Sequence, residues 1–139
     1  RTNFRDVDLS HANLYKSRLV RAMLMRARLK GARLAEATLS RVDLSNADLF
    51  RADLSNADLS GAMLYKTMLN EADLSGADLT GASLFGTTMA GANLSRAIFV
   101  SADLQGSDLT GALMEDANMG GVDLSTVNLT GTTGSFLKV

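Results

Sequence analysis

The sequence contains no cysteine, no proline and no tryptophan, and it has a single histidine, His11. Without cysteine the chain has no disulfide, no thiolate metal site and no thiol nucleophile. One histidine is too few for a multi-histidine metal site, so we expect neither a metal nor any other cofactor. No apolar run approaches the roughly 18 residues that a membrane-spanning helix needs.

The charges are nearly balanced along a chain that is rich in apolar residues. Its 139 residues are 46% hydrophobic and 21% charged, with a net charge of −1. This composition excludes an intrinsically disordered chain and indicates one domain. The sequence pI of about 5.7 is also far from the strongly basic values that are typical of nucleic-acid-binding domains.

A five-residue repeat runs through almost the whole chain. Its 26 central positions fall at every fifth residue from Phe4 to Leu129, and 21 of them are leucine. The position two before each centre is always small, with 17 alanines, four valines, three threonines and two serines. Asp or Asn often precedes the centre, Ser or Thr often follows it, and Gly or a charged residue often comes next. Two such units are Ala52–Asn56 and Ala72–Gly76.

A period of five fits neither a regular helix nor a regular strand. Helical centres would step about 140° around the axis, and strand centres would alternate between faces. Both conflicts disappear if each unit is a short extended segment that ends in a corner, because the small residue and the large residue then share a face. The repeat therefore predicts a solenoid with its small and large residues inside.

The A(D/N)Lxx units resemble the pentapeptide repeat family over residues 2 to about 132. The resemblance implies an all-β, right-handed quadrilateral β-helix with four units per coil, which is about 6.5 coils here. Members of the family include inhibitors or protectors of DNA gyrase that mimic duplex DNA, cyanobacterial proteins, secreted effectors and proteins without known activity. It implies a cytoplasmic location, with the thylakoid lumen or secretion as alternatives.

Pairs of opposite charge support four units per coil, and the register of the repeat indicates where the β-helix ends. Residues 20 apart would stack, and opposite charges recur at that spacing in seven pairs, against five pairs of like charge. The seven expected pairs are Asp6–Arg26, Asp8–Arg28, Arg28–Asp48, Lys16–Glu36, Arg33–Asp53, Arg51–Glu71 and Arg96–Asp116. We expect residues 1–132 to form the β-helix. Residues 133–139, in which Gly134 breaks the register, are predicted to form a C-terminal capping segment. No N-terminal cap is evident, so we expect either that a preceding segment is absent from this chain or that the open coil pairs with a partner, such as a second copy in a homodimer.

Charge and apolar surface provide two candidate partner-binding sites. Residues 1–51 carry a net charge of +6 and residues 52–139 carry −7. Four-unit stacking places Arg1, Arg21 and Arg41 in one corner column, where they would attract phosphate, anionic lipid or an acidic protein. Met63, Tyr65 and Phe85 fall on one outward face and would form a protein-docking patch. Met23 and Met25 lie on the same face.

These features favour a non-enzymatic scaffold that binds a protein partner of unknown identity on its flat faces. Catalysis is not expected, because outward columns on a regular rod form no convergent pocket around His11 or any carboxylate. The alternatives are a DNA-mimicking modulator of gyrase and an anion site at the basic end. The scattered positions of the later acidic residues argue against DNA mimicry, and nucleic acid is not expected as a partner.

Overall fold

The chain winds into a right-handed, four-sided β-helix in the computed structural model, which describes residues 2–138. Each coil takes 20 residues, because parallel bridges join a residue to the one 20 positions later, as in Asp53 to Asp73 and Asp73 to Asn93. Every β contact is a bridge of a single residue; within residues 2–138 there is no helix and no longer strand. The coils span residues 2–21, 22–41, 42–61, 62–81, 82–101 and 102–121, followed by an incomplete turn.

We number the four faces by the centres of the first coil. Phe4 begins face 1, Leu9 begins face 2, Leu14 begins face 3 and Leu19 begins face 4. Each face repeats at intervals of 20 residues, so the predicted architecture of four units per coil is confirmed. No helix in the described part of the chain is long and apolar enough to cross a membrane.

One unit shows how all five backbone N–H groups of a repeat are satisfied. In the unit Ala72–Gly76, Ala72 closes a turn by donating to the preceding centre at 3.1 Å. Asp73 donates to the coil before it at 3.0 Å, while Leu74 and Gly76 donate to the coil after it at 2.8 and 2.9 Å. The remaining N–H, on Ser75, donates to Oδ1 of Asp73 at 2.9 Å. Asp or Asn before the centre therefore binds the one N–H that the ladder leaves over.

The corners have a left-handed backbone two residues after every centre except Leu124. Glycine fills this position at Gly61 and Gly81, with φ of 62° and 64°, but Arg21 and Arg41 adopt φ of 56° in the same position. A residue with a side chain is strained there by about 1–2 kcal/mol. Thr126, which is β-branched, is not among the positive-φ residues. Its Oγ1 accepts the N–H of Gly106 at 3.1 Å, and the bridge that would join Asp103 to Asp123 is missing.

The core is a column of stacked leucines and alanines that is tightest in the middle of the rod. Every centre from Leu24 to Met119 is buried, whereas the centres of the first coil and of the last turn are only partly buried. Three hydroxyl residues replace alanine on face 2, namely Thr67, Thr87 and Ser107. Their side chains donate to carbonyl groups at 2.7 to 2.9 Å, so these buried polar groups have partners.

The last residues continue to wind, with one residue fewer than a regular unit. Thr133 is still paired with Leu113, 20 positions earlier, but Leu137 pairs with Asn118, only 19 earlier. Gly134 lies between them at φ 88°. Phe136 is partly buried against the core, and Leu137 is 59% exposed.

Candidate interaction surface

Face 1 carries a compact group of exposed apolar side chains in the middle of the rod. The rings of Tyr65 and Phe85, one coil apart, stack with centroids 5.7 Å apart and planes 8° from parallel. Met63, two residues before Tyr65, is 46% exposed, and the two rings are 41% and 39% exposed. We call Met63, Tyr65 and Phe85 the aromatic patch. Met23 and Met25 lie on the same face and are partly buried.

The corner between face 4 and face 1 holds the predicted arginine column. Arg21 and Arg41 occupy successive coils there and are both exposed, and Gly61 takes the same place in the next coil. A Cβ atom at Gly61 would lie 3.4 Å from Cγ of Arg41, at ordinary contact distance, so the Arg41 side chain lies next to this corner of the following coil. Arg1, the third predicted member of this column, lies outside the described residues.

This corner and face 1 together form a surface groove of about 580 Å³, which we call the arginine groove. The groove joins the two sites that the sequence analysis treated separately, because Met63 lines it together with the two arginines. Arg5 on face 1 also contributes, and it was missed because its own column contains no other cation. The residues that line the groove are Arg5, Arg21, Ala22, Met23, Arg41, Asp43, Gly61 and Met63.

The arginines of the groove differ from most other cations of the basic half. Five ion pairs occur between described residues, and four of them join residues that stack 20 apart, as predicted: Asp6–Arg26, Asp8–Arg28, Lys16–Glu36 and Arg51–Glu71. Arg5, Arg21 and Arg41 belong to none of the pairs between residues 2 and 138. Asp43 in the groove lies beyond ion-pair distance from them, and its Oδ1 accepts the N–H of Ser45 at 3.0 Å. The three guanidinium groups therefore keep their hydrogen-bond donors available to a ligand.

Acidic side chains spread over all four faces and form no continuous surface. Among described residues, Asp43 and Asp103 lie on face 1, Asp108 on face 2, Asp73 on face 3 and Asp78 on face 4. Fifteen Asp or Asn residues before the centres accept the N–H of the residue after the centre. Such bonds hold the pKa below its ordinary value at several of these aspartates.

Three aspartates show this effect on the pKa most directly. At Asp8 the hydrogen bond from the backbone N–H of Ser10 is the main cause of the lowered pKa, and at Asp123 it is the one from Ser125. At Asp108 the hydroxyl group of Thr110 contributes most to the lowered pKa, followed by the N–H of the same residue. The ionised carboxylate accepts these hydrogen bonds better than the protonated acid does, so these side chains stabilise the turns in their charged form.

His11 lies at the corner between face 2 and face 3 and covers Gly31 of the next coil. A Cβ at Gly31 would come within 2.6 Å of Nδ1 of His11, so the ring occupies the space that a side chain at position 31 would need. No group of three or more histidine, cysteine, aspartate or glutamate residues able to hold a metal is present between residues 2 and 138.

Coils of five-residue units, a leucine and alanine core and left-handed corners define the class of quadrilateral repeat solenoids. The sequence profile described as pentapeptide repeats matches residues 2–41, 43–81, 77–116 and 100–131. The chain belongs to the pentapeptide repeat family, as the sequence analysis predicted. A search of curated proteins found no match.

Solved structures of the same fold resemble the chain over nearly its full length. QnrB1, a plasmid-mediated fluoroquinolone resistance protein, is 20% identical, with a TM-score of 0.61 over 96% of this chain and 80% of its own; this similarity reflects the fold. HetL, involved in heterocyst differentiation regulation in the cyanobacterium Nostoc sp. strain PCC 7120, is 30% identical, with a TM-score of 0.34 over 94% of this chain and 86% of its own. Rfr23 from the cyanobacterium Cyanothece 51142 is 27% identical, with a TM-score of 0.49 over 99% and 87%.

Proposed function

We propose that the chain is a non-enzymatic scaffold that binds a protein partner through face 1. The observation that carries the proposal is the aromatic patch beside the arginine groove. Large aromatic side chains and arginines dominate the binding energy of protein interfaces. On face 1 the Tyr65 and Phe85 rings already stack in a fixed geometry, 5.7 Å apart, so little side-chain entropy remains to be lost on binding.

The backbone ladder beneath the patch makes face 1 a rigid surface. Leu64 donates to the coil after it at 2.7 Å and Lys66 does so at 2.9 Å, on either side of Tyr65. Both Leu64 and Leu84 under the rings are fully buried. Face 1 therefore presents its side chains without a conformational change, which favours a partner that adapts to a flat, preformed surface.

Partner capture on the immobilised chain tests this proposal. A Tyr65→Ser/Phe85→Ser variant is expected to lose at least about nine-tenths of a captured partner, since aromatic anchors are often worth more than a tenfold change in affinity. The matched control is Tyr15→Ser/Leu113→Ser, which removes apolar side chains that are 45% and 42% exposed but lie on face 3. Equal loss in both variants contradicts binding through face 1.

DNA mimicry has weaker support, and self-association is a separate expectation. DNA mimicry needs a continuous acidic surface, and the acidic residues here occupy all four faces. If the wild type inhibits supercoiling by gyrase and the Tyr65→Ser/Phe85→Ser variant inhibits it equally, DNA mimicry is favoured over the scaffold function. Self-association through an open end is tested by sedimentation of the wild type, since a homodimer would dissociate on dilution.

A further inference from the structure

We infer that the arginine groove binds an extended acidic peptide segment in which apolar side chains alternate with carboxylates. The inference rests on the proposed function and names the chemistry of the partner. The groove holds Arg5, Arg21 and Arg41 against a single carboxylate, Asp43. Charge complementarity therefore selects an anionic ligand.

The geometry of the groove selects a linear ligand with two kinds of side chain. Arg21 and Arg41 stand one coil apart, about 4.8 Å along the rod axis. The lining extends from Arg5 in the first coil to Met63 in the fourth, which is about 14 Å and matches four to five residues of extended chain. Arg21 and Arg41 lie at the corner, whereas Arg5, Met23, Asp43 and Met63 lie on face 1.

An extended peptide that lies along this groove directs successive side chains to opposite sides. Its carboxylates would meet the guanidinium groups of Arg21 and Arg41, which are suited to bidentate hydrogen bonds with carboxylates. Its apolar side chains would contact Met23 and Met63, whose flexible thioethers adapt to irregular apolar shapes. Beyond Met63 the apolar surface continues into Tyr65 and Phe85.

The apolar side of the groove distinguishes this ligand from other anions. Inorganic phosphate or a lipid headgroup would use the arginines alone and leave Met23 and Met63 uncovered. Duplex DNA requires an extended basic surface, but ion pairs neutralise Arg26 at the corner between faces 1 and 2 and Arg28 on face 2. An acidic and apolar peptide satisfies both sides of the groove at once.

Fluorescence anisotropy with short synthetic probes tests the inference on the full chain. The probe is a fluorescein-labelled peptide with the core Glu-Leu-Glu-Leu-Glu, and the control peptides replace either every Glu by Gln or every Leu by Ser. We expect the wild type to bind the probe and to bind each control peptide at least about tenfold more weakly. Binding should weaken as salt is raised, because the carboxylates pair with exposed arginines.

Variants of the chain assign the binding to the groove. Arg21→Gln/Arg41→Gln is expected to weaken probe binding at least about tenfold, since charge-assisted hydrogen bonds each contribute about that factor. The matched control is Arg33→Gln/Arg96→Gln, which removes two exposed arginines on or beside face 3 and should change affinity less than about twofold. Thermal unfolding checks that each variant is folded.

Every other outcome overturns the inference in a defined way. Equal loss in the two arginine variants, or equal binding of the Gln peptide, shows that the groove is not selective for carboxylates. Tighter binding, dependent on Arg21 and Arg41, to phosphatidylserine vesicles, to duplex DNA or to inorganic phosphate identifies a different ligand. Absence of probe binding, with partner capture still dependent on Tyr65 and Phe85, rejects the acidic ligand and leaves the proposed function standing. If the probe does not bind and partner capture does not depend on Tyr65 and Phe85, both the inference and the proposed function are rejected.

Discussion

Replacing Leu74 by alanine is expected to destabilise the middle of the rod more than any comparable change at its ends. Leu74 is fully buried at the centre of a face 3 unit, and Leu54 and Leu94 are stacked on either side of it. Removing its three outer carbon groups loses about 2.5 kcal/mol of burial, at about 0.8 kcal/mol for each group. The cavity adds to that cost, because the ladder bonds of 2.8 Å from Leu74 and 2.9 Å from Gly76 fix the coil spacing and prevent collapse. We therefore expect a loss of about 3–4 kcal/mol.

Urea unfolding followed by far-ultraviolet circular dichroism measures this loss. With a typical slope of about 1–3 kcal/mol per molar urea, the midpoint should fall by about 1–4 M. The control is Leu9→Ala in the first coil, where the same type of centre is only partly buried, and we expect about 1–2 kcal/mol there. Equal shifts for the two variants, with unchanged slopes, would refute the idea that packing is continuous through the column and weakest in the first coil.

Four further predictions concern the turns, the C-terminal segment and the surface. The lowered pKa of Asp108 means that its contribution is complete above its unfolded pKa of about 3.9 and is lost as the pH falls through the lower folded value. The urea midpoint should be flat from pH 7 to 5 and fall below about pH 4. Asp108→Asn, which keeps the acceptor oxygen, should show a smaller fall, although Asp8 and Asp123 still contribute theirs; superimposable pH curves for wild type and variant contradict the assignment. Gly81→Ala, with no atom within 4 Å of the new Cβ at φ +64°, should cost about 1–2 kcal/mol in thermal unfolding. Gly134→Ala, whose Cβ would meet the N of Glu115 at 2.5 Å, should release residues 133–138, the proposed cap, to proteolysis; equal protection of wild type and variant would disprove that role. Arg51→Gln breaks an exposed ion pair with Glu71 and should change stability by less than about 1 kcal/mol; a larger loss in the same assay would show that the pair is coupled to the core.

The inward half of the molecule could be predicted from the sequence because one rule determines it. Every unit places a small residue and a large residue inside, so the spacing of Ala72 and Leu74 already identifies the core positions and the corners. The resemblance to the pentapeptide repeat family supplied the handedness and the four-sided cross-section, which spacing alone left open.

The outward half could be predicted only in part, because long surface side chains choose between competing partners. Arg28 was expected to pair with both Asp8 and Asp48, but it pairs with Asp8, and Lys30 takes Asp48 at 3.4 Å. Two further expected pairs, Arg33–Asp53 and Arg96–Asp116, are not within ion-pair distance in the described part of the chain. The 20-residue spacing predicts which residues are neighbours in a column. Solvent screening and rotamer entropy determine whether exposed charges in that column form an ion pair.

The arginine groove, too, could be predicted from the sequence only in part. Stacking at 20 residues predicted that Arg21 and Arg41 share a corner, and they do. That this corner joins Met63 and Arg5 on face 1 in one groove emerges only from the three-dimensional arrangement, because the repeat gives the columns but not which exposed side chains enclose a groove.

The interchangeability of the units has a consequence for insertions and deletions. Because all units share one inward pattern, losing one unit of five residues leaves the leucine and alanine column intact. It nevertheless turns every later residue by a quarter of the circumference, so Phe85 would leave the side of the rod on which Tyr65 lies. Losing 20 residues shortens the rod and restores the alignment of the remaining columns. Length changes in steps of five thus redesign the recognition surface while the core stays the same, and only every fourth step preserves the original surface.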